Sequence, residues 1–507
     1  MPQAEVLAPL AVAVAAPLVI FHHLDFSIWF DEAFSYGMAA QPWPVVFAHW
    51  IWGSDANMTL YYLILRGWLG FLGLIGVAPN EVLFRVPSAL CGVAAVLSVY
   101  LLGRQLFGKV AGLVASGLFL TNFLYLIVAQ SARAYTLGLL LFTISWLALF
   151  RFIKLGSRRW WVVYVGVTAL SVYTLLLAGL IIASQAAAVV AMALLPGPWR
   201  TMARSAITAL VPAALVTLLL TGPILVDAAL HGGPNFWVPP ATLSEVKMFL
   251  FVLTGQSRAY EYLVFALMGV GVVLAAAPQL PRLAQLADLE KSHLGPAAAL
   301  VAWFAVPMLI AIALTQPRLN LHVFSPRYMV IIVPAMCLLA GLAVQAMPSR
   351  LVQLAIVTLL IVVSVAPVGV YYANAQAQDF KDPVIWMQQH YQTGDGVVCD
   401  PEIQCALPVA YYVAADPGSA RFDSDSPGWF FWDTNSSVPV SDQTVLPFAA
   451  RHDRVFIVYG PLGPDQTMDA KLAALEKSLE ANGYRLADQY SASGSTVTTT
   501  VLLFDRG

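Results

Sequence analysis

Charged residues are scarce in this sequence. Asp, Glu, Lys and Arg make up 11% of the 507 residues, whereas 59% are hydrophobic, and the mean hydropathy is +0.75. An ordinary soluble domain carries about 25% charged residues. The composition therefore excludes a soluble globular protein and predicts a chain that lies mostly in lipid.

Motifs for tightly bound metals and for nucleotides are also absent. The eight histidines are scattered, apart from the adjacent His22 and His23, and no HExxH pattern occurs. A tight zinc site is therefore not expected, although an acid-rich loop could still hold Mg²⁺ or Mn²⁺ loosely. The glycines at 394–396 and 460–463 lack the spacing of a phosphate-binding loop. The sequence thus requires no cofactor, and it contains no internal repeat.

The few charges are unevenly distributed. Residues 1–374 hold 18 Lys and Arg against 11 Asp and Glu, whereas residues 375–507 hold 8 against 17. We therefore divide the chain into a transmembrane domain at 1–374 and a C-terminal domain at 375–507, which is long enough to fold by itself. Nucleic acid is excluded as a partner, because its binding requires clustered basic residues.

The C-terminal domain alternates the signals of strands and helices. A helical period precedes Gly483, and three apolar runs are typical of strands; the helix is predicted at about Asp469–Asn482 and the strands at Gly396–Asp400, Arg454–Tyr459 and Thr496–Phe504. These elements predict a small α/β domain. Cys399 and Cys405 could pair there if the domain faces an oxidising compartment.

The N-terminal domain is dominated by long apolar runs. A helix that crosses the bilayer needs about 20 such residues. About eleven spans are predicted, near 6–24, 84–103, 110–128, 135–153, 160–176, 177–195, 205–226, 259–277, 296–315, 328–347 and 351–371. No basic residue precedes the first run, so we interpret it as a retained span and not as a secretory signal. The predicted fold class is an α-helical polytopic membrane protein with a small C-terminal α/β soluble domain.

Basic residues near the span ends predict the orientation. If the first span exits the cytoplasm, one set of short loops holds most of the basic charge: Arg104, Lys109, Arg151, Lys154, Arg158, Arg159, Arg200, Arg204, Arg282, Lys291 and Arg350. The opposite set holds nearly all the acidic residues. We therefore predict an integral protein of the cytoplasmic (inner) membrane, with the C-terminal domain and the active site outside the cytoplasm.

The first outer loop, residues 25–83, is long and rich in tryptophan. Its segment 60–76 is apolar but interrupted by four glycines. Aromatic residues are enriched at the bilayer interface, so we expect helices lying in the membrane plane in this loop. A second interfacial element is expected at 242–254, after the FWVPP sequence at 236–240.

Two adjacent carboxylates follow the first span, in the sequence WFDEAFSY. Ionised residues at membrane depth are costly and usually functional. A carboxylate at this position could accept the proton of an attacking hydroxyl group, as a general base does. We therefore predict catalytic roles for Asp31 and Glu32; the alternative is a pair of solvated loop acids that only enforce topology.

Two arginines lie on the outer side, where the positive-inside rule disfavours them. Arg133 stands in AQSARAY and Arg327 in FSPRYM. Guanidinium groups bind phosphate bidentately, so both are predicted to hold a lipid phosphate; the alternatives are snorkelling to headgroups or pairing with a distant acid. The second-rank candidates are Arg85, Lys247, Arg258 and Arg318, of which Lys247 and Arg258 complete the predicted phosphate site.

At these positions the chain resembles the GT-C superfamily of glycosyltransferases. The branch it resembles is protein-O-mannosyltransferase-like and includes the lipid A aminoarabinose transferase. The resemblance covers about residues 20–345 and is carried, in order, by WFDEAFS, NMTLYYLILRGW, FRVPSALCGV, YLLGRQLFG, AQSARAYTL, FWVPP and SPRYMVIIVP. The order of these segments is specific, whereas any one of them alone is weak.

This resemblance implies a GT-C fold and an inverting transfer of sugar from a polyprenyl-phosphate donor. Asp31 matches the family's catalytic base, and Arg133 matches an arginine that holds the donor phosphate. The acceptor is a glycan, glycolipid or protein outside the cytoplasm, and membrane lipids are further partners. Residues of the matching segments that we predict to contact substrate are Asn57, Tyr61, Tyr62, Tyr135 and Tyr328.

One segment departs from the family pattern. Many relatives have His-Pro-Pro or Lys-Pro-Pro before Leu-Tyr-Tyr, whereas this chain has Asn57-Met58-Thr59. The lysine of the aminoarabinose transferase is therefore missing, which argues against that donor sugar. The alternative function is a transporter or flippase of lipid-linked sugars, although such proteins commonly show repeated halves and charges near the bilayer midplane.

Overall fold

The computed structural model contains most of the chain in helices. It describes residues 3–50, 57–231, 238–239, 241–277, 293–319, 321, 323–415, 422–463 and 466–506. Residues 236, 237 and 240 of the FWVPP sequence lie outside this described part. The described helices are α1 (Gln3–Ile20), α2 (Phe30–Ala40), α3 (Trp43–Trp50), α4 (Thr59–Leu74), α5 (Glu81–Leu106), α6 (Lys109–Leu120), α7 (Phe123–Ala129), α8 (Tyr135–Leu155), α9 (Arg158–Thr174), α10 (Ala178–Leu194), α11 (Pro198–His231), α12 (Leu243–Leu253), α13 (Arg258–Ala276), α14 (Leu294–Leu314), α15 (Pro326–Met329), α16 (Val333–Gln345), α17 (Arg350–Asn374), α18 (Lys381–His390), α19 (Glu402–Ala415), α20 (Asp442–Ala449) and α21 (Gln466–Ala481).

The chain divides into two compact units. Unit 1 comprises Met1–His22, His49–Tyr61 and Val86–Tyr372, and unit 2 comprises His23–Ala48, Tyr62–Arg85 and Ala373–Gly507. This partition differs from the division at residue 374 that the charge distribution suggests. Two segments of the first loop group with the C-terminal part, and they include the acidic sequence at 31–32.

Among the described residues, seven helices are long and apolar enough to cross a membrane, or eight if α6 and α7 form one bent span. Each of the eleven predicted runs contains a helix, but the number eleven is not confirmed among the described residues. Helices α9 and α10 have 17 residues each, about 25 Å at the usual rise. Helices α6 and α7 meet at an angle of 68°. The chain is an integral membrane protein with a predominantly helical fold.

Small residues bring the helices of unit 1 into close contact. A Cβ atom on Gly112 of α6 would lie 2.6 Å from the carbonyl oxygen of Tyr100 on α5, and one on Gly341 of α16 would lie 2.5 Å from the carbonyl oxygen of Ala111. Such close backbone approach is typical of helices that pack in lipid, where the hydrophobic effect does not drive their association.

Two buried amide side chains of unit 1 bind neighbouring helix ends. The side-chain amide of Gln130 donates to the carbonyl oxygens of Ile20 and His22 at 2.9 and 2.7 Å. The amide of Asn122 donates to the carbonyl of Leu253 at 2.8 Å, and its oxygen caps the first turn of α7. Buried polar groups require such partners, so these residues tie the helix ends together.

The C-terminal part of unit 2 contains a sheet of four strands in the order β1-β4-β6-β5. Strands β1 and β4 are parallel, whereas β6 is antiparallel to both β4 and β5. A separate two-stranded antiparallel sheet joins β2 and β3. The strands are β1 (Gly396–Asp400), β2 (Phe430–Phe431), β3 (Ser436–Ser437), β4 (Arg454–Tyr459), β5 (Tyr484–Ser493) and β6 (Thr498–Arg506). The predicted strand-containing C-terminal domain is present.

One face of this sheet forms a core with α20 and α21. Phe448 of α20 and Leu479 of α21 are buried with Val398, Ile457 and Phe504 of the strands. Helix α21 ends just before Gly483, whose positive φ of 88° suits the residue that follows a helix. Cys399 and Cys405 form a disulfide between β1 and α19, and both residues are buried.

Candidate active site

Helix α2 carries the predicted catalytic carboxylates in its first turn. Trp29 precedes the helix in an extended conformation, and its carbonyl oxygen accepts the N–H groups of Glu32 and Ala33 at 3.0 Å each. Carboxylates are favoured at this end, where the helix dipole is positive. Asp31 is half-buried, whereas Glu32 is completely buried, because neighbouring helical side chains point about 100° apart.

The buried carboxylate of Glu32 forms a bidentate ion pair with Arg85. The Nε atom of Arg85 donates to Oε1 at 2.8 Å and Nη2 donates to Oε2 at 2.5 Å, and both side chains are inaccessible to solvent. Bidentate charge-assisted pairs are strong and directional. Glu32 is therefore held within unit 2 by an arginine from the start of α5.

Arg85 also organises the segment that leads into α2. Its guanidinium donates to the carbonyl oxygens of Leu24, Phe26 and Ser27 at 2.8, 2.7 and 3.1 Å. It also lies 3.7 Å from the centroid of the Phe26 ring, where the ring quadrupole attracts a cation. One arginine thus fixes both α2 and the chain just before it.

The C-terminal part of unit 2 holds the same segment from another side. The Ile28 N–H donates to the hydroxyl oxygen of Tyr412 on α19 at 2.8 Å. The hydroxyl of Ser27 accepts the N–H groups of Phe380 and Lys381 at 2.9 and 3.1 Å. Burial raises the pKa of Tyr412 above its ordinary value, so its hydroxyl stays protonated. These contacts fix the start of α2 relative to the C-terminal helices.

Trp432, just after β2, packs on α2 where the helix has a glycine. A Cβ atom on Gly37 would lie 2.1 Å from the Trp432 ring, so only glycine permits this approach. The Trp432 ring also packs on Phe34, with the centroids 5.4 Å apart. On the same helix Tyr36 meets Tyr411 of α19 edge to face at 4.9 Å. The position of α2 thus depends on aromatic residues of the C-terminal part.

Removal of the Trp432 ring should loosen α2. We expect Trp432→Ala to speed hydrogen exchange of the α2 amides about tenfold or more, equivalent to ~1.4 kcal/mol, because the helix loses its aromatic support. Exchange mass spectrometry on the protein in nanodiscs measures this. Trp386→Ala is the matched control, since Trp386 packs on Tyr490 of β5 instead. Equal exchange of α2 in both variants would contradict this role of Trp432.

In unit 1, Arg133 lies in the turn between α7 and α8, and its carbonyl oxygen accepts a hydrogen bond from one hydroxyl group. The hydroxyl of Ser88 on α5 donates to the Arg133 carbonyl at 3.1 Å and lies 2.8 Å from the hydroxyl of Tyr61 on α4. Ser88 thus links the hydroxyl of Tyr61 to the backbone of Arg133, and both are predicted site residues. Arg133 is half-buried, and Tyr135 behind it is buried at the start of α8.

The other predicted phosphate-binding residues lie on separate elements of unit 1. Arg258 begins α13 and is paired with Glu261 at 2.6 Å, an acidic partner that is not predicted from the sequence. The Arg258 guanidinium also lies 4.2 Å from the centroid of the Phe251 ring. Lys247 is exposed on α12, and Arg327 is half-buried in α15.

The remaining predicted substrate residues divide between the units. Asn57 belongs to unit 1, where its side-chain oxygen accepts the Leu176 N–H at 3.2 Å. Tyr328 follows Arg327 in α15 and is half-buried, and Tyr62 is buried in unit 2. The roles assigned to all of these residues stay predictions.

The residues that hold α2 are only weakly marked in the sequence. Arg85 is a second-rank candidate, and Tyr412 and Trp432 are not among the residues predicted from the sequence. A signal did exist for Arg85: a single cation in the apolar sequence FRVPSALCG requires a buried partner. In the part of the chain that the structure describes, no three His, Cys, Asp or Glu side chains are grouped to hold a metal. The loosely bound divalent cation stays a prediction.

Comparisons with known proteins agree with this architecture. Residues 68–227 match the family model of dolichyl-phosphate-mannose-protein mannosyltransferases. The structure resembles ArnT from Cupriavidus metallidurans bound to undecaprenyl phosphate, at 15% identity and a TM-score of 0.54, over 99% of this chain and 98% of that chain. It also resembles the oligosaccharyltransferase of Archaeoglobus fulgidus, at 15% identity and a TM-score of 0.54, over 96% of this chain and 72% of that one. No curated protein matches in sequence.

These similarities show the fold of the chain. ArnT and the archaeal oligosaccharyltransferase are GT-C glycosyltransferases, and the correspondence with ArnT extends over nearly the full length of both chains. The chain has the GT-C fold, with a small strand-containing domain at its C-terminus. The GT-C resemblance found in the sequence motifs is therefore confirmed.

Proposed function

We propose that this protein transfers a sugar from a polyprenyl-phosphate donor to an acceptor outside the cytoplasm. The observation that carries the proposal is a half-buried carboxylate, Asp31, on a firmly held helix of a GT-C fold. Relatives of the same fold support the donor class, since one structure is an ArnT bound to undecaprenyl phosphate. Another is AglB of Archaeoglobus fulgidus in complex with an inhibitory peptide and a dolichol-phosphate.

In the proposed reaction Asp31 removes the proton of the acceptor hydroxyl as its oxygen attacks the anomeric carbon. The new C–O bond forms while the bond from that carbon to the phosphate oxygen breaks, so the configuration is inverted. The polyprenyl phosphate departs with the electron pair and gains negative charge. Cations that are already oriented toward that oxygen stabilise the transition state.

Glu32 has a different role in this proposal. Its oxygens are engaged by Arg85 at 2.8 and 2.5 Å, and it is fully buried. Both carboxylate oxygens are occupied by the Arg85 guanidinium, so neither is available to a substrate hydroxyl. We therefore assign the proton transfer to Asp31 and the positioning of α2 to Glu32.

Arg133 is the leading candidate for the donor phosphate, followed by Arg327, Arg258 and Lys247. We expect Arg133→Ala to lower kcat/KM for the donor about 10- to 100-fold, since a hydrogen bond to a charged group contributes about 1.5–3 kcal/mol. Arg133→Lys should restore only part of the activity, because lysine lacks the bidentate fit. Radiolabelled donor turnover measures both variants. Exposed Arg158 provides the control variant Arg158→Ala, and equal kinetics for all three proteins would refute a phosphate contact.

Release of free polyprenyl phosphate tests the function. The protein is incorporated in nanodiscs and incubated with polyprenyl-phosphate-linked hexoses and pentoses, together with glycolipid and glycan fractions from the cell envelope. A transferase frees the lipid phosphate in proportion to the sugar gained by the acceptor, whereas a flippase leaves the lipid-linked sugar intact. Movement of an intact donor between the leaflets of a vesicle, without release, would establish the alternative function.

Asp31 and the C-terminal domain are proposed to lie outside the cytoplasm. Thiol labelling with a membrane-impermeant maleimide in intact cells tests this orientation, which rests on the positive-inside rule. A cysteine at exposed Ser436 should react, whereas one at Ser157, between the basic ends of α8 and α9, should react only after the membrane is opened. The parent protein gives the background from Cys91 and Cys337. Labelling of both sites in intact cells would refute the orientation.

A further inference from the structure

A cavity of about 490 Å³ in unit 2 has no role in the reaction described above. One wall is a face of α18 and another is the start of α5. The floor is formed by α19 through Tyr411 and Tyr412. The volume falls within the range of roughly 300–1,000 Å³ that is typical of small-molecule sites. All of its lining residues are described, and all belong to unit 2.

The charges at the cavity wall balance each other. The Nζ atom of Lys381 on α18 lies 2.9 Å from Oε1 of Glu81 on α5, and the two side chains are 35% and 12% exposed. A phosphate or a divalent cation would need an excess of one sign, which this pair does not provide. The aliphatic lining is limited to Pro79 and Ile385, which is too little for a lipid chain.

The remaining polar lining suits a ligand with many hydroxyl groups. Asn80, Gln388 and Gln389 contribute side-chain amides, each of which offers both donors and an acceptor. The Gln388 amide is oriented by a bond that it donates to the Tyr412 carbonyl at 3.2 Å. Burial and the nearby Glu81 charge raise the pKa of Tyr411 above its ordinary value, so its hydroxyl remains a donor at neutral pH.

The cavity is structurally continuous with the support of α2. The Tyr411 ring contacts Tyr36 of α2 and Phe84 of α5, with centroid distances of 4.9 and 6.1 Å. Glu81 lies one turn before Arg85 in α5, about 6 Å along the helix axis. Arg85 in turn binds Glu32. A ligand in the cavity would therefore contact the same two elements that position the first turn of α2.

We propose that this cavity is a carbohydrate subsite that binds the uncharged glycan portion of the acceptor. The amides and the Tyr411 hydroxyl would bind sugar hydroxyls, and the Glu81–Lys381 pair would accept and donate one further bond each. This subsite rests on the proposed glycosyl transfer, because it would bind the part of the acceptor that does not react. Binding energy from such a remote portion lowers the acceptor KM.

Direct binding of saccharides tests the subsite without any turnover. Saturation-transfer NMR on the full chain in nanodiscs would use the methyl glycosides and disaccharides of glucose, mannose, galactose and arabinose as probes. We expect at least one of them to bind, with a Kd that Gln389→Ala raises tenfold or more. Gln389 is exposed, so this variant should fold normally. Gln443→Ala on α20 is the matched control, and it should bind as the parent protein does.

Two results would overturn the subsite: no saccharide of the panel binds, or the Gln389→Ala and Glu81→Gln variants both bind like the control. The test separates this proposal from the proposed function. Asp31→Asn should retain saccharide binding while it loses transfer. If Asp31→Asn instead transfers normally, the catalytic assignment fails and the NMR result still decides the subsite. In transfer assays, Gln389→Ala should raise the acceptor KM and leave the donor KM unchanged.

Discussion

Replacement of Asp31 by asparagine should reduce sugar transfer about 10²- to 10⁴-fold, the usual cost of removing a general base. Asparagine keeps the shape of the side chain and the first turn of α2, but it cannot accept the proton of the acceptor hydroxyl. The half-buried position of Asp31 makes the change compatible with folding. Initial rates with a radiolabelled polyprenyl-phosphate sugar, together with donor binding, measure the effect.

Two further variants make this result specific. Asp25→Asn is the matched control, because Asp25 lies in the same segment, is exposed and pairs with the neighbouring His23 ring at 2.8 Å. This contact keeps the Asp25 pKa below its usual value. Its activity should be that of the parent protein. Glu32→Gln should reduce activity less than Asp31→Asn. Near-normal turnover by Asp31→Asn would remove Asp31 as the base, and a larger loss in Glu32→Gln would exchange the two roles.

Hydrophobicity alone predicts most of the helices. Each long apolar run contains a helix, because the backbone must satisfy its hydrogen bonds internally in lipid. The number of spans could not be read in the same way. Asn122 interrupts an apolar run and caps a new helix, α7, so that the predicted span at 110–128 is a pair bent by 68°. The average hydropathy of a sequence window does not detect a single capping residue.

In the C-terminal domain, burial decides which strands the sequence reveals. Strands β1 and β4 match their predicted limits, since nearly all of their residues are buried. Strand β5 was not predicted, because most of its residues are exposed and it lies at the edge of the sheet. Its stability comes from backbone pairing with β6, which leaves no hydrophobic period in the sequence.

The candidate active site depends even more on contacts that cannot be predicted from local sequence. Local features of the sequence mark Asp31 as a candidate, namely a carboxylate after a span and between aromatic residues. Its supports have no such mark, because the Tyr412 hydroxyl accepts the backbone N–H of Ile28, which lies 384 residues away in the sequence. Glu32 and Arg85 are separated by 53 residues. No local pattern records such pairings, and they become visible only when the chain is folded.

The pairing of Glu32 with Arg85 carries the largest expected effect on stability. Arg85→Ala should destabilise unit 2 by about 3–5 kcal/mol, because it leaves the Glu32 carboxylate buried without a compensating charge. The carbonyl oxygens of Leu24, Phe26 and Ser27 would also lose their donor. Thermal unfolding in detergent and hydrogen exchange across residues 24–40 measure the change. Transfer activity should fall as well, since the first turn of α2 loses its position.

An exposed ion pair is the control for the effect of burial on stability. Arg451 and Asp425 form a contact of similar length, 2.6 Å, but both side chains are 56% exposed, and exposed pairs typically contribute only about 0.2–1 kcal/mol. Arg451→Ala should therefore leave thermal unfolding nearly unchanged. The double variant Glu32→Leu with Arg85→Met should recover much of the stability that Arg85→Ala loses, because two apolar side chains can replace a buried pair. If Arg85→Ala unfolds like the parent protein, Glu32 is not held by this pair, and the assignment of proton transfer to Asp31 alone loses its structural support.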